Sequence, residues 1–322
     1  MSTLRFKTLF FIAFSLLCLA CKLQQRTNAG ASQNVELTRP DNMSAQEAQW
    51  YSWLQPRADS ILTEYRAKFG NFIDPDEMRK AFAPIGYDGS NVPAYRKLEK
   101  SLVRKLYKEI LYDALAAEQE PTILFLTGCG GAGKSTATKS QPEVMQRISK
   151  ASIVYDSALN SYQSLNEVIT IALKAGIKEQ NITVVPVYND LVTSFSNSVQ
   201  RGLKSGRFLS VKYVVTDAFP SNQGKIAKLR KKHRKITIVP IDNAGNNGGR
   251  LVSVDEAAKW DYQVKDADVN KILDIYQNLQ LMAVSGEIKP NQLRSVGDGL
   301  EVVGLYQGLS DATRLRIAQM AK

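Results

Sequence analysis

The sequence predicts an α/β fold in which helices cover both faces of a mostly parallel sheet. An apolar, β-branched run at residues 122–127 has the pattern of a buried strand and stops at a glycine-rich turn. Two further runs of this kind, at residues 151–157 and 181–188, alternate with segments of helical periodicity. Strands that alternate with helices are typical of βαβ units, which build parallel sheets.

The glycine-rich turn has the spacing of a phosphate-binding loop. Its members are Gly128, Cys129, Gly130, Gly131, Ala132, Gly133, Lys134, Ser135 and Thr136. Glycines let successive backbone amides turn inward around phosphate oxygens. In such a loop Lys134 reaches the β- and γ-phosphates of ATP or GTP, and the Ser135 hydroxyl binds Mg²⁺. Thr136 is expected to face the α-phosphate or the first helical turn. The expected fold is therefore P-loop kinase-like and three-layered.

The residues of this turn fit two other interpretations. Gly128, Gly130 and Gly133 also have the spacing of a dinucleotide fingerprint, in which Asp156 would be the ribose-binding acid. A dinucleotide-binding turn has no use for a lysine and a serine directly after its last glycine, and this favours the phosphate-binding loop. A strand-to-helix turn that binds no ligand is the remaining alternative.

Asp156 is the predicted general base. It ends the second strand run, and the carboxyl ends of parallel strands line the ligand crevice of an open sheet. A carboxylate in that place can accept the proton of an attacking hydroxyl. The alternative role is that of a cap for the following helix, because Asp is common at that position.

Arg201 and Arg207 are the predicted phosphoryl-binding cations. Both lie near the end of the helix expected at residues 191–203, where a lid over the nucleotide is expected. Planar guanidinium groups suit the oxygens of a phosphoryl group in transfer. Each could equally be a solvated surface charge, so both interpretations stay open.

The composition indicates a globular chain with a surplus of positive charge. Its 322 residues are 44% hydrophobic, which is ample for a core, and its formal net charge is +11. That charge favours anionic partners, but phosphate substrates, nucleic acid and anionic membranes all fit. The densest basic run, residues 225–235, has no aromatic residues for base stacking. A solvated helix is therefore favoured over a site for nucleic acid or anionic lipid.

Cysteine and histidine are too sparse for several kinds of site. Cys129 alone lies in the predicted folded body, so an internal disulfide framework is not possible there. Its place in the loop suits either a small filling residue or an oxidisable thiol. His233, the single histidine, sits in the basic run, so His-based zinc sites and Ser/His/Asp or Cys/His catalysis are poorly supported.

Residues 1–21 have the pattern of an export signal. Their apolar stretch follows Arg5 and Lys7 and would span about 20 Å as a helix, short of the ~30 Å hydrocarbon core. The residues before and at Cys21 resemble the lipobox of bacterial lipoproteins, in which this cysteine carries the lipid, although Cys18 stands where leucine is usual. A membrane-anchored lipoprotein is expected. An uncleaved anchor, or a misassigned start and a cytoplasmic protein, is the alternative.

Three further regions follow the signal segment. Residues 22–42 are polar and are expected to form a flexible tether. Residues 43–120 are expected to form a helical segment that packs on the core, with a helix break near Pro56 and a helix start at Asp74. Residues 121–322 are expected to form the nucleotide-binding domain.

The order of these parts resembles the zeta-toxin family of small-molecule kinases. The similarity spans about residues 69–260. Its matching parts are the loop at 128–135, the strand end at 155–157, the third strand, the arginine block at 201–207 and a later strand at 236–243. The resemblance implies transfer of a γ-phosphoryl group from ATP or GTP to a small-molecule hydroxyl, with UDP-N-acetyl sugars as the best-known acceptors.

The resemblance assigns the family roles to Lys134, Ser135, Asp156, Arg201 and Arg207. It also implies a neutralising antitoxin as a partner.

Two alternative functions stay open. One is a P-loop nucleotide hydrolase without an acceptor, although no Walker B pair of acids is evident. The other is a catalytically degenerate, envelope-anchored nucleotide-binding protein, which the signal segment favours.

Overall fold

A mostly parallel sheet of seven strands runs through the residues that the structure describes, which are 35–246 and 248–321 of this computed structural model. The strands are β1 (Phe72–Ile73), β2 (Ile123–Thr127), β3 (Ile153–Asp156), β4 (Ile182–Tyr188), β5 (Thr237–Ile238), β6 (Ile241–Asp242) and β7 (Arg250–Leu251). The β6–β7 pairing is antiparallel, and the other pairings are parallel. The predicted α/β class with a mostly parallel sheet is therefore confirmed.

The strand that precedes the glycine-rich turn, β2, lies inside the sheet. The order is β1-β3-β2-β4-β6-β7, and β5 also pairs with β4. On one side of β2, Leu124 is aligned with Val154 of β3, and on the other side with Thr183 of β4. Connections that leave in opposite directions open a crevice at the carboxyl ends of the strands. The glycine-rich turn therefore begins at this crevice.

Helices precede and follow this central strand. Before β2 lie α1 (Ala45–Leu54), α2 (Ala58–Phe69), α3 (Pro75–Arg79) and α4 (Val92–Ala117). After it lie α5 (Lys134–Lys139), α6 (Pro142–Lys150), α7 (Tyr162–Ala175), α8 (Leu191–Ser205), α9 (Lys225–Lys232), α10 (Val254–Ala257), α11 (Asp266–Val284), α12 (Pro290–Gly297), α13 (Leu300–Val303) and α14 (Asp311–Met320). Short 3₁₀ segments occur at Gln55–Arg57, Lys80–Ile85, Glu179–Asn181, Pro220–Asn222 and Ala244–Asn246, and a π-helical segment at Tyr213–Ala218.

The two faces of β2 pack into different hydrophobic clusters. Leu124 and Leu126 belong to a cluster with Phe195 of α8 and with apolar residues of α11. Ile123 and Phe125 belong to the other cluster, which contains apolar residues of α2, α4 and α7. Successive side chains of a strand point to opposite faces, so both faces of the sheet are covered by helices. This arrangement is compatible with a three-layer α/β fold.

The helices before β2 share a core with the sheet. Leu98, Leu102 and Leu106 of α4 are fully buried in the cluster that also receives one face of β2. Tyr107 of the same helix meets Tyr155 of β3 in a T-shaped contact, with ring centroids 5.2 Å apart. β1, which the sequence did not predict as a strand, extends the sheet beyond β3.

Residues 35–42, the last part of the predicted tether, lie against α4. Val35 is buried, and its carbonyl oxygen accepts a hydrogen bond from the Lys105 ammonium. Lys97 Nζ donates to the Asn42 carbonyl oxygen at 2.6 Å. These contacts fix this stretch along the helix.

The predicted signal segment, residues 1–21, lies outside the described residues, together with its Cys21 and most of the predicted tether. Within the two described ranges, no helix has both the length and the apolar character needed to cross a bilayer. The lipid anchor stays a prediction.

One predicted strand, residues 236–243, is divided in two. β5 and β6 both pair with β4, but Val239 and Pro240 separate them. Pro240 has no amide hydrogen to donate, so the ladder is interrupted at this point. After β6 the chain reaches Asn243, whose side chain contacts the glycine-rich loop.

Candidate functional site

The glycine-rich loop, residues 128–135, has a backbone conformation that favours glycine. Gly131 and Gly133 have φ angles of +83° and +78°. A Cβ on Gly131 would lie 1.9 Å from the carbonyl oxygen of Ser194 in α8, and one on Gly133 would lie 2.5 Å from Asn243 Nδ2. The loop therefore packs closely against α8 and against the chain after β6, with no room for a side chain at these two glycines.

Backbone amides of the loop are available to a ligand. Within the described ranges, the amides of Gly131 and Gly133 donate to no protein acceptor. Two carbonyl oxygens of the loop, in contrast, are bound by side chains at 2.9 Å: Asn197 Nδ2 donates to Gly131 O, and Asn243 Nδ2 donates to Ala132 O. The Ala132 amide between them donates to Cys129 O at 3.0 Å. Loop amides without acceptors, such as those of Gly131 and Gly133, are the groups that bind anions in a backbone concavity.

Lys134 and Asp156 lie next to each other at this loop. Lys134 Nζ is 3.6 Å from Asp156 Oδ1, and the side chains are 17% and 15% exposed. Burial raises the pKa of the Asp156 carboxyl, and the Lys134 ammonium partly offsets this rise. The helix after Asp156 is α7, and its N-cap is Ser161, whose hydroxyl accepts a hydrogen bond from the Ser164 amide at 3.1 Å. The cap alternative for Asp156 is therefore wrong.

The structure brings Arg201 and Arg207 together at a carboxylate, Asp76. Arg207 forms an ion pair with Asp76, and Arg201 Nη1 lies 3.9 Å from Asp76 Oδ2. The Arg207 side chain is only 15% exposed, whereas that of Arg201 is 42% exposed. Burial and then repulsion from Arg207 lower the pKa of Arg201. Both arginines line the same cleft as the loop.

The carboxylate that holds these arginines lies at a helix start that the sequence predicted only as a cap. Asp74 caps α3 by accepting from the Asp76 amide at 2.7 Å, so both acids lie at one helix start. Arg79, one turn later, pairs with Asp76 and with Glu99 Oε2 of α4. Burial raises the pKa of Asp74 to about 6 and that of Glu99 to about 7. The sequence signal here was only that of an ordinary helix cap.

The cleft has a volume of about 880 Å³ and extends from the loop to α4. Arg96, Lys100 and Arg104 recur every fourth residue along α4, and all three line the cleft. Arg96 lies over the ring of Tyr213 at 4.3 Å. Lys100 and Arg104 both pair with Glu167 of α7. We call these three cations the basic arm; in the described part of the chain its ion-pair partner is Glu167, whose charge it exceeds.

Ser135 and Thr136 are exposed at the start of α5, where a ligand can reach them. In the described part of the chain, no group of three or more His, Cys, Asp or Glu is arranged to hold a metal ion. Nucleotide-bound Mg²⁺ keeps waters and shares phosphate oxygens, so the Ser135 hydroxyl fits it as a protein ligand. Cys129 is buried, and burial raises the pKa of its thiol to about 11, which favours the filling role over the reactive one.

The basic run forms α9 and the turn after it. Lys228 and most of its other charged side chains are exposed, as expected for a solvated helix, but Lys225 is 2% exposed. His233 is also buried, and its ring nitrogens lie 2.8 Å from Glu179 and 2.9 Å from Asn166. His233 is therefore held inside the fold by polar contacts with these two side chains.

The strand order distinguishes two interpretations of the glycine spacing. In the dinucleotide-binding arrangement, the strand that carries the glycine turn has the second strand beside it, and the third strand pairs with the second. Here the strand after β3, which is β4, pairs with β2 instead. The topology therefore disfavours the dinucleotide alternative.

A comparison of this chain with protein-family models finds no match, and neither does a comparison with curated proteins.

Proposed function

We propose that this chain is a Mg²⁺-dependent kinase that transfers the γ-phosphoryl group of ATP or GTP to a hydroxyl of a small molecule. The observation that supports this most strongly is the 3.6 Å distance between Lys134 Nζ and Asp156 Oδ1, beside a loop with available amides. Phosphoryl transfer needs a cation at the phosphates and a carboxylate at the acceptor hydroxyl, close together.

The loop would bind the triphosphate through its amides, with Lys134 at the β- and γ-phosphates. The Ser135 hydroxyl would hold Mg²⁺, and Thr136 would contact the α-phosphate or stabilise the first turn. When bound, the metal supplies positive charge that offsets the charge of the phosphates. The close contacts of Gly131 and Gly133 support this role, because they keep the backbone where a phosphate can approach it.

Asp156 would accept the proton of the acceptor hydroxyl. Its burial makes the carboxylate a stronger base, and Lys134 keeps it ionised by opposing the rise in pKa. Arg201 and Arg207 would stabilise the charge of the phosphoryl group in transfer, and Asp76 would position them.

The acceptor would lie toward the basic arm. Arg96, Lys100 and Arg104 favour a molecule that carries phosphate or carboxylate groups. A UDP-N-acetyl sugar, the acceptor implied by the resemblance to zeta-toxin kinases, has a diphosphate that suits these cations.

The proposal is tested by incubating the purified chain with γ-labelled ATP or GTP, Mg²⁺ and a panel of nucleotide sugars and sugar phosphates. We expect label to appear on an acceptor, and we expect Lys134→Ala to abolish both transfer and hydrolysis. Asp156→Asn should retain nucleotide binding but lose transfer by at least about 100-fold, as for other general bases.

Two outcomes would favour the alternative functions, and a third would contradict the role of Asp156. Release of free phosphate without a labelled acceptor would indicate a nucleotide hydrolase. Binding without any turnover would indicate the degenerate protein. Transfer by Asp156→Asn at the wild-type rate would show that this carboxylate is not the base.

A further inference from the structure

Lys225 is a buried lysine whose hydrogen-bond partners are all uncharged. It is the first residue of α9, where the positive end of the helix disfavours a further positive charge. Its Nζ atom donates to three neutral acceptors, Asn222 Oδ1 at 2.6 Å, Leu159 O at 3.2 Å and Thr127 Oγ1 at 3.3 Å. Among the described residues, no carboxylate lies within ion-pair distance of it. A buried ammonium in such surroundings lacks the partner that normally offsets its lost hydration.

A second buried lysine shows what such a partner does. Lys105 is 5% exposed, but its Nζ lies 3.1 Å from Asp59 Oδ1 and 2.6 Å from Glu109 Oε1. Burial opposes the charged form of Lys105, yet these two carboxylates raise its pKa. Burial lowers the pKa of Lys225 to about 7, because no carboxylate opposes this effect.

The charged surroundings of Lys225 belong to the glycine-rich loop. Thr127 is the residue immediately before that loop, and the titratable groups that act on the Lys225 charge are the Cys129 thiol and the Lys134 ammonium. Within residues 35–246 and 248–321, its other hydrogen-bond partners are the uncharged Leu159 carbonyl and Asn222 side-chain amide. Lys225 does not itself line the cleft, but its contact with Thr127 places it beside the start of the loop, where the charge of a ligand held by the loop can act on it.

We propose that the phosphates of the bound nucleotide are the missing counter-charge of Lys225, and that nucleotide binding transfers a proton from solvent to its amine. This inference rests on the proposed nucleotide site. Lys225 is then a buried cation next to the loop, in addition to Lys134, Arg201 and Arg207, which line the cleft.

Protonation also has a geometric consequence. An ammonium has three hydrogens and can satisfy all three neutral acceptors, whereas a neutral amine has only two. One acceptor, Leu159 O, belongs to the segment that follows Asp156, and Leu159 has a φ of +37°, which is unusual for a residue with a side chain. The bound nucleotide would thus fix the backbone just after the base.

Calorimetry can measure this proton directly. The purified chain is titrated with Mg²⁺ and β,γ-imido ATP at about pH 8 in buffers of different ionisation enthalpy. In the free protein, Lys225 is mostly neutral at that pH. A nearby opposite charge raises a pKa by about 1–3 units, so binding should take up about half to one proton. Lys225→Met should bind with almost no uptake, and Lys228→Met, on the exposed side of α9, should behave like the wild type.

The outcomes are distinct. Binding without proton uptake by the wild type, or equal uptake by Lys225→Met, overturns the role of Lys225 and leaves the nucleotide site intact. Absence of binding by the folded wild type overturns the proposed function as well. If Lys225→Met does not fold, Lys225→Arg replaces it, because its guanidinium stays charged and should bind nucleotide without proton uptake. Uptake by Lys225→Arg equal to that of the wild type would assign the proton to another group of the cleft, such as Glu99, whose pKa is about 7, and would overturn the role of Lys225.

Discussion

Asp76 is the residue on which the arginines of the cleft converge. Burial alone would raise its pKa, but Arg207 and Arg79 outweigh burial and lower it, so the carboxylate stays ionised. Arg201 and Arg207 could be predicted from their place after the third strand. Asp76 could not be predicted as their partner, because it lies in a segment before β2 and the sequence around it indicates only a helix start. A contact between segments so far apart leaves no periodic signal in a single sequence.

Asp74 gives a test of the acidic cluster through stability. Burial raises its pKa from 3.8 to about 6, so the folded protein holds this proton more tightly than the unfolded chain. The free energy of unfolding that this group contributes is present below about pH 4 and is lost as the pH rises to about 6. Asp74→Asn should stabilise the protein above about pH 6 by about 1–2 kcal/mol.

The substitution is informative because asparagine is as good a helix cap as aspartate. Urea unfolding at about pH 4 and about pH 7 measures the effect. A destabilised Asp74→Asn at neutral pH would show that the charge of Asp74, rather than its cap, is favourable in the folded state.

Among the elements, the long and regular ones could be predicted. The strands around β2 and the helix α4 have clear apolar patterns, and their observed bounds agree with them within a few residues. β1 is only two residues long, too short to show any alternation. The basic arm could not be predicted, because three cations at four-residue spacing are typical of a solvated helix face. Their place in the cleft depends on how α4 packs.

The glycine-rich loop is the element most sensitive to a single methyl group. Gly131→Ala places a Cβ at a positive φ and 1.9 Å from Ser194 O, so the loop or α8 must move. We expect a loss of about 2–3 kcal/mol in the free energy of unfolding and a loss of nucleotide binding. Chemical denaturation and nucleotide titration measure the two effects.

Gly176→Ala is the matched control. Gly176 also has a positive φ, +112°, but nothing lies within 4 Å of the position that the added methyl group would occupy. This substitution should cost about 1 kcal/mol and leave nucleotide binding unchanged. Equal behaviour of the two variants would mean that the close packing of the loop has no bearing on the ligand.

At the scale of the whole molecule, the site depends on strand order. β3 and β4 lie on opposite sides of β2, and this opens the crevice that the loop, Lys134 and Asp156 line. The sequence predicted alternating strands and helices, but many orders satisfy that alternation. The order arises from how the strands pair in three dimensions, which a single sequence does not display.

The cleft also joins two regions that were predicted separately. α3 and α4, from the helical segment, supply Asp76 and the basic arm, while the sheet supplies the loop and Asp156. The helical segment was expected to pack on the core, but its contribution to the cleft was not foreseen.

Nucleotide binding by the loop is the claim on which the rest depends. Equilibrium dialysis of labelled ATP and GTP, with Mg²⁺ and the purified chain, measures it directly. We expect a dissociation constant between about 1 μM and about 1 mM for at least one of them, and a loss of at least about tenfold in Lys134→Ala. A folded wild-type chain that retains neither nucleotide would contradict the account.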